Sequence, residues 1–259
     1  MAVISFENVN LIRNHHDILT NISWNVNKGE NWAILGLNGS GKSSLIKLIM
    51  AEIWKSSGRL EVLDVEFGAG QIPELRQKIA IVGSFIAERF HGDIHSENLV
   101  YTGKFNSSFL YKNFSDEDLD EARELLRQIG AEQLIGRVYG TLSQGEKQLC
   151  LIARSLILKP EILILDEATN GLDLFAKENL LTKLHEILQL DNPPTLLYIT
   201  HHVDEITSDF DQILLLRDGQ IVKAGEKSEL LTSSNLTEFY QHDVTVKSDN
   251  GRYYALPKK

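Results

Sequence analysis

The segment GLNGSGKS, residues 36–43, has the residue types and spacing that phosphate binding requires. It fits the pattern G-x-x-x-x-G-K-[ST], which lies between a buried strand and a helix where it binds phosphate. Its glycines permit backbone conformations with positive φ, so that several N–H groups can point toward one centre. Those groups, together with the N-terminus of the following helix, would hold phosphate oxygens. The pattern therefore predicts a phosphate-binding loop.

The pattern also predicts roles for individual side chains of the loop. Lys42 would reach the β- and γ-phosphates of a nucleotide, and the Ser43 hydroxyl would ligate Mg²⁺. The alternative is a glycine-rich turn with an accidental lysine, which a chain of this composition contains with a probability on the order of 1%. The residues predicted to contact the nucleotide are Gly36, Leu37, Asn38, Gly39, Ser40, Gly41, Lys42, Ser43 and Ser44.

Two acids follow an apolar run in ILILDEAT, residues 162–169. Ligands gather at the carboxyl ends of strands in an open α/β sheet, and these acids would lie there. Asp166 would hold Mg²⁺ through water, and Glu167 would polarise the attacking water. The alternative is a strand whose end is capped by acids that begin the next helix. The upstream phosphate loop favours the catalytic interpretation.

Two histidines, His201 and His202, follow another apolar run in TLLYITHHVDEI. A histidine at a strand end beside the phosphates can donate a hydrogen bond to a γ-phosphate oxygen and sense its loss. An isolated histidine at such a position is more often incidental. Zinc binding is the weaker alternative, because no matching set of cysteines and histidines accompanies the pair.

The elements that must position these residues alternate between strand and helix. Residues 31–35 (NWAIL) are typical of a buried strand, and helical spacing follows the loop. Such alternation predicts an α/β fold with a mostly parallel sheet. Further strands are predicted at residues 3–9, 19–26, 60–66, 79–82, 162–166 and 195–200, a polar connection at 12–17, helices at 116–130 (with Gly130 as C-cap), 142–158 and 174–189, and hairpins around Asp218-Gly219 and Asn250-Gly251.

The composition restricts the class of protein. The chain has 259 residues and a formal net charge of -10, which disfavours nucleic acid as a partner. Cys150 is the only cysteine, so no intrachain disulfide can form, and its helical surroundings predict a buried thiol. The N-terminus lacks the pattern of a signal peptide, and there is no run of about 18 apolar residues. These features predict a cytoplasmic protein.

The order of the motifs resembles that of the ABC ATPase family, across roughly residues 3–230. LSQGE, residues 142–146, is similar to the family signature LSGGQ and comes just before ILILDE. Residues 170–173 (NGLD) resemble the D-loop, and His201 matches the switch histidine. The phosphate loop alone would also suit a P-loop kinase or a GTPase, and the ordered set disfavours both.

The resemblance implies a fold and a domain organisation. It implies a P-loop NTPase with a mostly parallel core sheet, an N-terminal antiparallel β subdomain and an inserted helical signature subdomain. The ATP-binding domain would span residues 1–233, with the helical insertion at about 86–158. Residues 234–259 would form a short C-terminal extension with a β-hairpin.

The resemblance also implies a mechanism that uses ATP and Mg²⁺. Ser143 and the amide of Gly145 would donate to the γ-phosphate held by another subunit, and Asp173 of the D-loop would lie at the same interface. Because the chain has one phosphate loop and one signature, a complete site would need a second copy or a homologous ATPase subunit. The expected assembly is a head-to-tail dimer, with separate membrane-spanning subunits as further partners that would bring it to the inner face of a membrane.

Two departures from the family concern nucleotide contacts. Family members place an aromatic residue where this chain has Arg13, followed closely by His15 and His16. A guanidinium or an imidazole can stack on adenine, and the alternative is a solvated polar turn. In the signature, Gln144 and Glu146 replace glycine and glutamine.

A third departure is Ser84, at the position of the family's Q-loop glutamine, which touches Mg²⁺ or water and couples to the transport partner. A serine hydroxyl can also meet a metal-bound water, although it is about two bonds shorter. Ser84 leaves two functions open. One is the ATPase subunit of a membrane transporter, and the other is a soluble ABC ATPase with a non-transport role, since the chain resembles small stand-alone and molybdate-transport-like members.

Overall fold

The computed structural model describes residues 1–68, 72–83, 90, 92–105 and 114–258. The chain divides into two compact units. The first contains Met1–Arg76 and Thr195–Lys259, and the second contains Gln77–Pro194. Within the described ranges, no helix is long and apolar enough to cross a membrane.

The elements follow one another along the chain as strands, α-helices and short 3-10 turns. The strands are β1 (Ala2–Arg13), β2 (His16–Asn27), β3 (Trp32–Gly36), β4 (Ser57–Val62), β5 (Val65–Glu66), β6 (Ile79–Gly83), β7 (Ile162–Asp166), β8 (Thr195–Thr200), β9 (Gln212–Arg217), β10 (Gln220–Glu226), β11 (Val244–Asp249) and β12 (Arg252–Pro257). The α-helices are α1 (Lys42–Ile49), α2 (Ile72–Gln77), α3 (Ser96–Tyr101), α4 (Asp116–Gln128), α5 (Gln144–Leu156), α6 (Leu174–Leu188), α7 (Lys227–Leu230) and α8 (Ser233–Tyr240). The 3-10 turns are Thr102–Phe105, Glu132–Leu134, Tyr139–Thr141 and Val203–Glu205.

The first unit begins with an antiparallel sheet in the order β2-β1-β4-β5. The polar connection predicted at residues 12–17 is wrong, because β1 and β2 continue through it and pair Arg13 with His16. Only Asn14 and His15 form the turn, with φ of 50° and 62°, as two-residue hairpin loops require. Residues 12–17 are exposed, so the apolar alternation that marks a strand in the sequence is lost there although the pairing continues.

The first unit also contains the strand that leads into the phosphate loop. β3 pairs in parallel with β8 on one side and with β9 on the other, and β10 extends this sheet antiparallel to β9. All five residues of β3 are buried, as expected for a central strand covered on both faces. The register places Leu35 beside Thr200 and Gly36 beside Leu216, so the carboxyl ends of all three parallel strands share one edge.

The second unit pairs β6 in parallel with β7 and contains helices α3 to α6. The register sets Gly83, the last residue of β6, beside Asp166, the last residue of β7. The predicted helix at residues 116–130 is confirmed as α4, and Gly130 follows it with a φ of 62°. Cys150 is fully buried within α5, and this burial raises the pKa of its thiol to about 12. The buried thiol is therefore confirmed.

The chain ends in the predicted hairpin, with β11 and β12 joined at Asn250-Gly251. β11 packs on α8, and β12 packs on the 3-10 turn Val203–Glu205. The α/β class is confirmed, with parallel pairing in the core and antiparallel strands at the N-terminus. The subdomain boundaries at 86–158 and 1–233 stay predictions.

Candidate functional site

The phosphate loop runs from the end of β3 to the start of α1. Gly39 and Gly41 have positive φ, 81° and 104°, and the Gly41 carbonyl accepts the N–H of Leu45 at 2.9 Å as the helix begins. A Cβ atom on Gly36 would lie 2.5 Å from Ser40 Oγ, so a residue with a side chain would not fit at position 36 without a shift of the loop. The backbone therefore adopts the concave path that the glycine spacing predicts.

The centre of this loop carries buried polar groups. The Lys42 side chain is 7% exposed, and its Nζ donates to the carbonyls of Gly36 at 2.8 Å and of Leu37 at 3.1 Å. Ser40 Oγ is buried and has no hydrogen-bond partner within the described residues. A buried hydroxyl without a partner is costly unless a ligand supplies one. The cationic amine, this hydroxyl and the glycine backbone fit a phosphate group.

The remaining loop residues face outward. Leu37, Asn38 and Gly39 are exposed at the tip, while Ser43 and Ser44 lie in the first turn of α1. Ser43 is exposed, so its hydroxyl is accessible to a ligand. These positions agree with the contacts predicted for the loop, and the contacts themselves stay predictions.

The turn between β9 and β10 holds the loop from outside, a contact that the sequence did not reveal. The Gly219 N–H donates to the Ser40 carbonyl at 3.0 Å, and the Gly219 carbonyl accepts the Thr20 N–H at 2.8 Å. A Cβ atom on Gly219 would lie 2.4 Å from the Ile18 carbonyl oxygen. The Asp218-Gly219 pair predicted the hairpin correctly, but nothing in it indicates which segment the turn contacts.

His201 follows β8 directly. Because Thr200 pairs with Leu35, the last residue but one of β3, His201 lies at the sheet edge where the phosphate loop begins. The imidazole rings of His201 and His202 are 4.0 Å apart between centroids and tilted by 40°. In the first unit the structure therefore brings the predicted switch histidine and the phosphate loop to one edge.

Arg13, the predicted adenine contact, ends β1 at the exposed hairpin. Its guanidinium donates to the carbonyl of Ile12 at 2.9 Å and to that of Trp54 at 2.6 Å. To stack on adenine, the guanidinium would have to turn its flat face toward the base, whether or not it keeps these two hydrogen bonds. His15 and His16 are exposed beside it. Stacking by any of the three stays a prediction.

The acidic pair lies at the end of β7, in the second unit. Asp166 ends the strand beside Gly83. Glu167 has a φ of 51°, a left-handed conformation that costs a residue with a side chain about 1–3 kcal/mol. The Asn170 side-chain amide donates to Glu167 Oε2 at 2.6 Å, which orients the carboxylate.

The signature serine, Ser143, is the N-cap of α5. Its Oγ accepts the Glu146 N–H at 3.3 Å, and Glu146 Oε2 accepts the Ser143 N–H at 2.8 Å. Arg137 forms an ion pair with the same carboxylate. Burial raises the pKa of Glu146, but these hydrogen bonds and the arginine lower it more, and the net pKa lies below its ordinary value.

The signature and the D-loop meet in the second unit. A Cβ atom on Gly145 would lie 3.3 Å from the Cβ of Ala176, in the first turn of α6. Asp173 is the N-cap of α6, and its Oδ1 accepts the Ala176 N–H at 2.9 Å. The structure therefore brings Ser143, Gly145 and Asp173 to two adjacent helix starts. Leu174 and Phe175 beside them are 63% and 83% exposed.

Three residues were predicted to bind the metal. Ser43 lies in the first unit and Asp166 in the second. Ser84 lies outside the described residues, directly after Gly83. Among the residues that the structure describes, no group of three or more histidine, cysteine, aspartate or glutamate side chains could hold a metal ion. Ser43 offers a hydroxyl and Asp166 a carboxylate, and both are oxygen ligands of the kind that Mg²⁺ takes. Metal binding by these residues stays a prediction.

Comparison with known proteins identifies the class. Residues 19–170 match the ABC transporter family, and the chain belongs to this family of ATPases. The resemblance inferred from the motifs is confirmed.

Individual relatives are similar along almost the whole chain. The uncharacterized ABC transporter ATP-binding protein YmeB of Lactococcus lactis subsp. lactis (strain IL1403) is 62% identical over 257 residues, 99% of each chain. The uncharacterized ABC transporter ATP-binding protein YlmA of Bacillus subtilis (strain 168) is 40% identical over 245 residues, 94% of this chain and 93% of that protein. The structure of CbiO1 from Clostridium perfringens, part of the ABC transporter complex CbiONQ, has a TM-score of 0.79 at 27% identity and covers 92% of this chain and 93% of its own.

Proposed function

We propose that this chain hydrolyses Mg²⁺-bound ATP as a head-to-tail dimer and thereby energises a membrane transporter. The observation that carries the proposal is the division of the motifs. The phosphate loop and His201 share one sheet edge of the first unit, whereas Ser143, Gly145 and Asp173 share two helix starts of the second. Each chain has one set of each kind, so two chains would form two complete sites.

Within one chain, the phosphate loop and the residues at the ends of β7 and β8 have different roles. The loop N–H groups and Lys42 bind the phosphates, and Ser43 and Asp166 hold Mg²⁺, which neutralises charge on the phosphate oxygens. Glu167, oriented by Asn170, accepts a proton from the attacking water. His201 donates a hydrogen bond to the γ-phosphate.

The second chain contributes the start of its helix α5. Because Ser143 Oγ already accepts the Glu146 N–H, its own proton is available for a phosphate oxygen. The N–H of Gly145, in the first helical turn, points the same way and adds the favourable end of the helix dipole. Exposed Leu174 and Phe175 give the adjacent surface an apolar contact for a second copy or a homologous subunit.

The transporter role rests on the family and on relatives such as CbiO1, which is part of a transporter complex. A chain with this role would work in the cytoplasm, and on the inner face of a membrane when membrane-spanning subunits bind it. A second function, a soluble ABC ATPase with a non-transport role, is favoured by Ser84 at the Q-loop position. Purification of the tagged chain from its native cells separates the two, because only the first predicts that membrane-spanning proteins co-purify.

The variant Glu167→Gln tests the hydrolytic mechanism. With ATP and Mg²⁺, this variant is expected to lose hydrolysis and to accumulate as a dimer in light scattering, because the site closes but the water is not activated. Glu161→Gln is the matched control. Glu161 precedes the same strand and pairs with Lys78 on the surface, so its loss should leave both properties unchanged. A monomer that hydrolyses ATP at the full rate contradicts the dimer.

A further inference from the structure

A buried carboxylate, Glu205, lies four residues after His201 and takes no part in the roles assigned above. It is 2% exposed, although it belongs to the short polar segment that follows β8. Its Oε2 accepts hydrogen bonds from the hydroxyls of Tyr198, at 3.1 Å, and of Thr200, at 2.5 Å. Tyr198 and Thr200 are two positions apart on β8, so both side chains point to the same face. Burial of a charge requires such bonds.

Thr200 connects this carboxylate to the backbone around His201. Its hydroxyl donates to Glu205, and the same oxygen accepts the His202 N–H at 2.9 Å. The Glu205 N–H in turn donates to the His202 carbonyl at 3.4 Å, which closes the segment into a ring. Thr200 and His202, the residues on either side of His201, are therefore both connected to Glu205 by hydrogen bonds.

We infer that Glu205, acting through Thr200, is a positioning residue that sets the orientation of His201. The inference rests on the proposed role of His201 at the γ-phosphate. A hydroxyl that donates to a carboxylate is a stronger acceptor for the next N–H, so the chain from Glu205 to His202 is reinforced along its length. Without this chain of hydrogen bonds, the backbone on both sides of His201 could rotate, and the imidazole would leave the sheet edge where the phosphate loop begins.

The chain offers a matched pair of threonines for the test. Thr195 lies at the opposite end of β8, is 2% exposed against 1% for Thr200, and also accepts a backbone N–H, that of Gly29 at 3.2 Å. Thr200→Val and Thr195→Val therefore each remove one buried hydroxyl from the same strand. Only the first of these changes interrupts the connection to His201.

We expect Thr200→Val to lower kcat for ATP about tenfold or more, with KM changed less than about threefold, because misplacement of a group that acts in the transition state affects the rate more than binding. Thr200→Ser keeps the hydroxyl and should restore kcat. Thr195→Val should keep the kcat of the parent. Glu205→Gln retains the side-chain size but weakens the bond to Thr200, so it should also lower kcat. It provides the test if Thr200→Val does not fold.

A measurement without nucleotide separates this inference from the role of His201. The ring Cε1–H resonance of His201, assigned with His201→Ala, should shift in Thr200→Val and stay in place in Thr195→Val. If His201→Ala keeps the full kcat, the proposed role of His201 is wrong, whatever the resonance does. If His201→Ala loses activity but Thr200→Val and Glu205→Gln match Thr195→Val in kcat and resonance, the positioning inference is overturned.

Discussion

The Glu146 carboxylate accepts a hydrogen bond from the backbone N–H of Ser143 at 2.8 Å, while the Ser143 hydroxyl accepts one from the N–H of Glu146 at 3.3 Å. This reciprocal cap begins α5 at the signature. Glutamine, the family residue at this position, could make the same bond. The acid adds an ion pair with Arg137, so the departure from the family strengthens the helix start.

The Glu146 carboxylate should make stability depend on pH. Its pKa is lower in the folded protein than the ordinary value of 4.5, so the folded state favours the charged form. The resulting stability is fully present above pH 4.5 and is lost as the pH falls through the lower, folded pKa. Urea unfolding of the parent and of Glu146→Gln should differ most near pH 7 and converge in acid. A difference that grows in acid contradicts the stabilising charge on Glu146 and its ion pair with Arg137.

Ser143→Ala should separate capping from catalysis. Loss of the cap is expected to lower the free energy of unfolding by about 1 kcal/mol, and loss of the phosphate donor should lower the hydrolysis rate at least about tenfold. Ser115 is a matched control, because it caps α4 through the same reciprocal arrangement with Asp118. Ser115→Ala should cost similar stability in urea and leave the ATPase rate unchanged. Equal rates in the two variants would remove Ser143 from the site.

Gly219→Ala should weaken nucleotide binding from outside the loop. Its methyl group would lie 2.4 Å from the Ile18 carbonyl oxygen and displace the turn that holds Ser40. We expect the affinity for ATP, measured by calorimetry, to fall about tenfold. The backbone strain of alanine at this positive φ should also lower the free energy of unfolding by about 1–2 kcal/mol.

Gly251→Ala controls for that strain. Gly251 occupies the same kind of hairpin turn with a φ of 78°, close to the 73° of Gly219, and a Cβ atom there would meet nothing within 4 Å. Gly251→Ala should cost the strain alone and keep the ATP affinity of the parent. If both variants bind ATP equally, the contact between the turn and the loop has no role in binding.

Arg13→Ala tests the adenine contact. If the guanidinium stacks on the base, ATP affinity should fall about two- to fivefold, the range of an exposed cation–π contact. Tripolyphosphate has no base, so its affinity should not change, and this comparison excludes a general effect of the lost bond to Trp54. Unchanged ATP affinity would exclude Arg13 and direct the same measurement to His16→Ala.

The residues that the sequence predicted best depend on interactions within a few positions. The hairpins at Asp218-Gly219 and Asn250-Gly251 follow from turn chemistry, and the helix that ends before Gly130 follows from its period and its cap. The β1–β2 connection was predicted too long, because strands exposed on both faces carry no apolar alternation.

The sequence alone is enough to predict the order of the motifs, the elements that carry them and the ATPase family, since glycine spacing, capping and apolar period act locally. By contrast, the packed chain is needed to see that Gly219 supports the phosphate loop and that Gly145 lies against Ala176. The packed chain also shows that Glu205, an acid in a polar segment, is buried and accepts a hydrogen bond from Thr200, the residue before His201. Each of these relations depends on where distant segments pack, and packing distance is not encoded in the spacing of a motif.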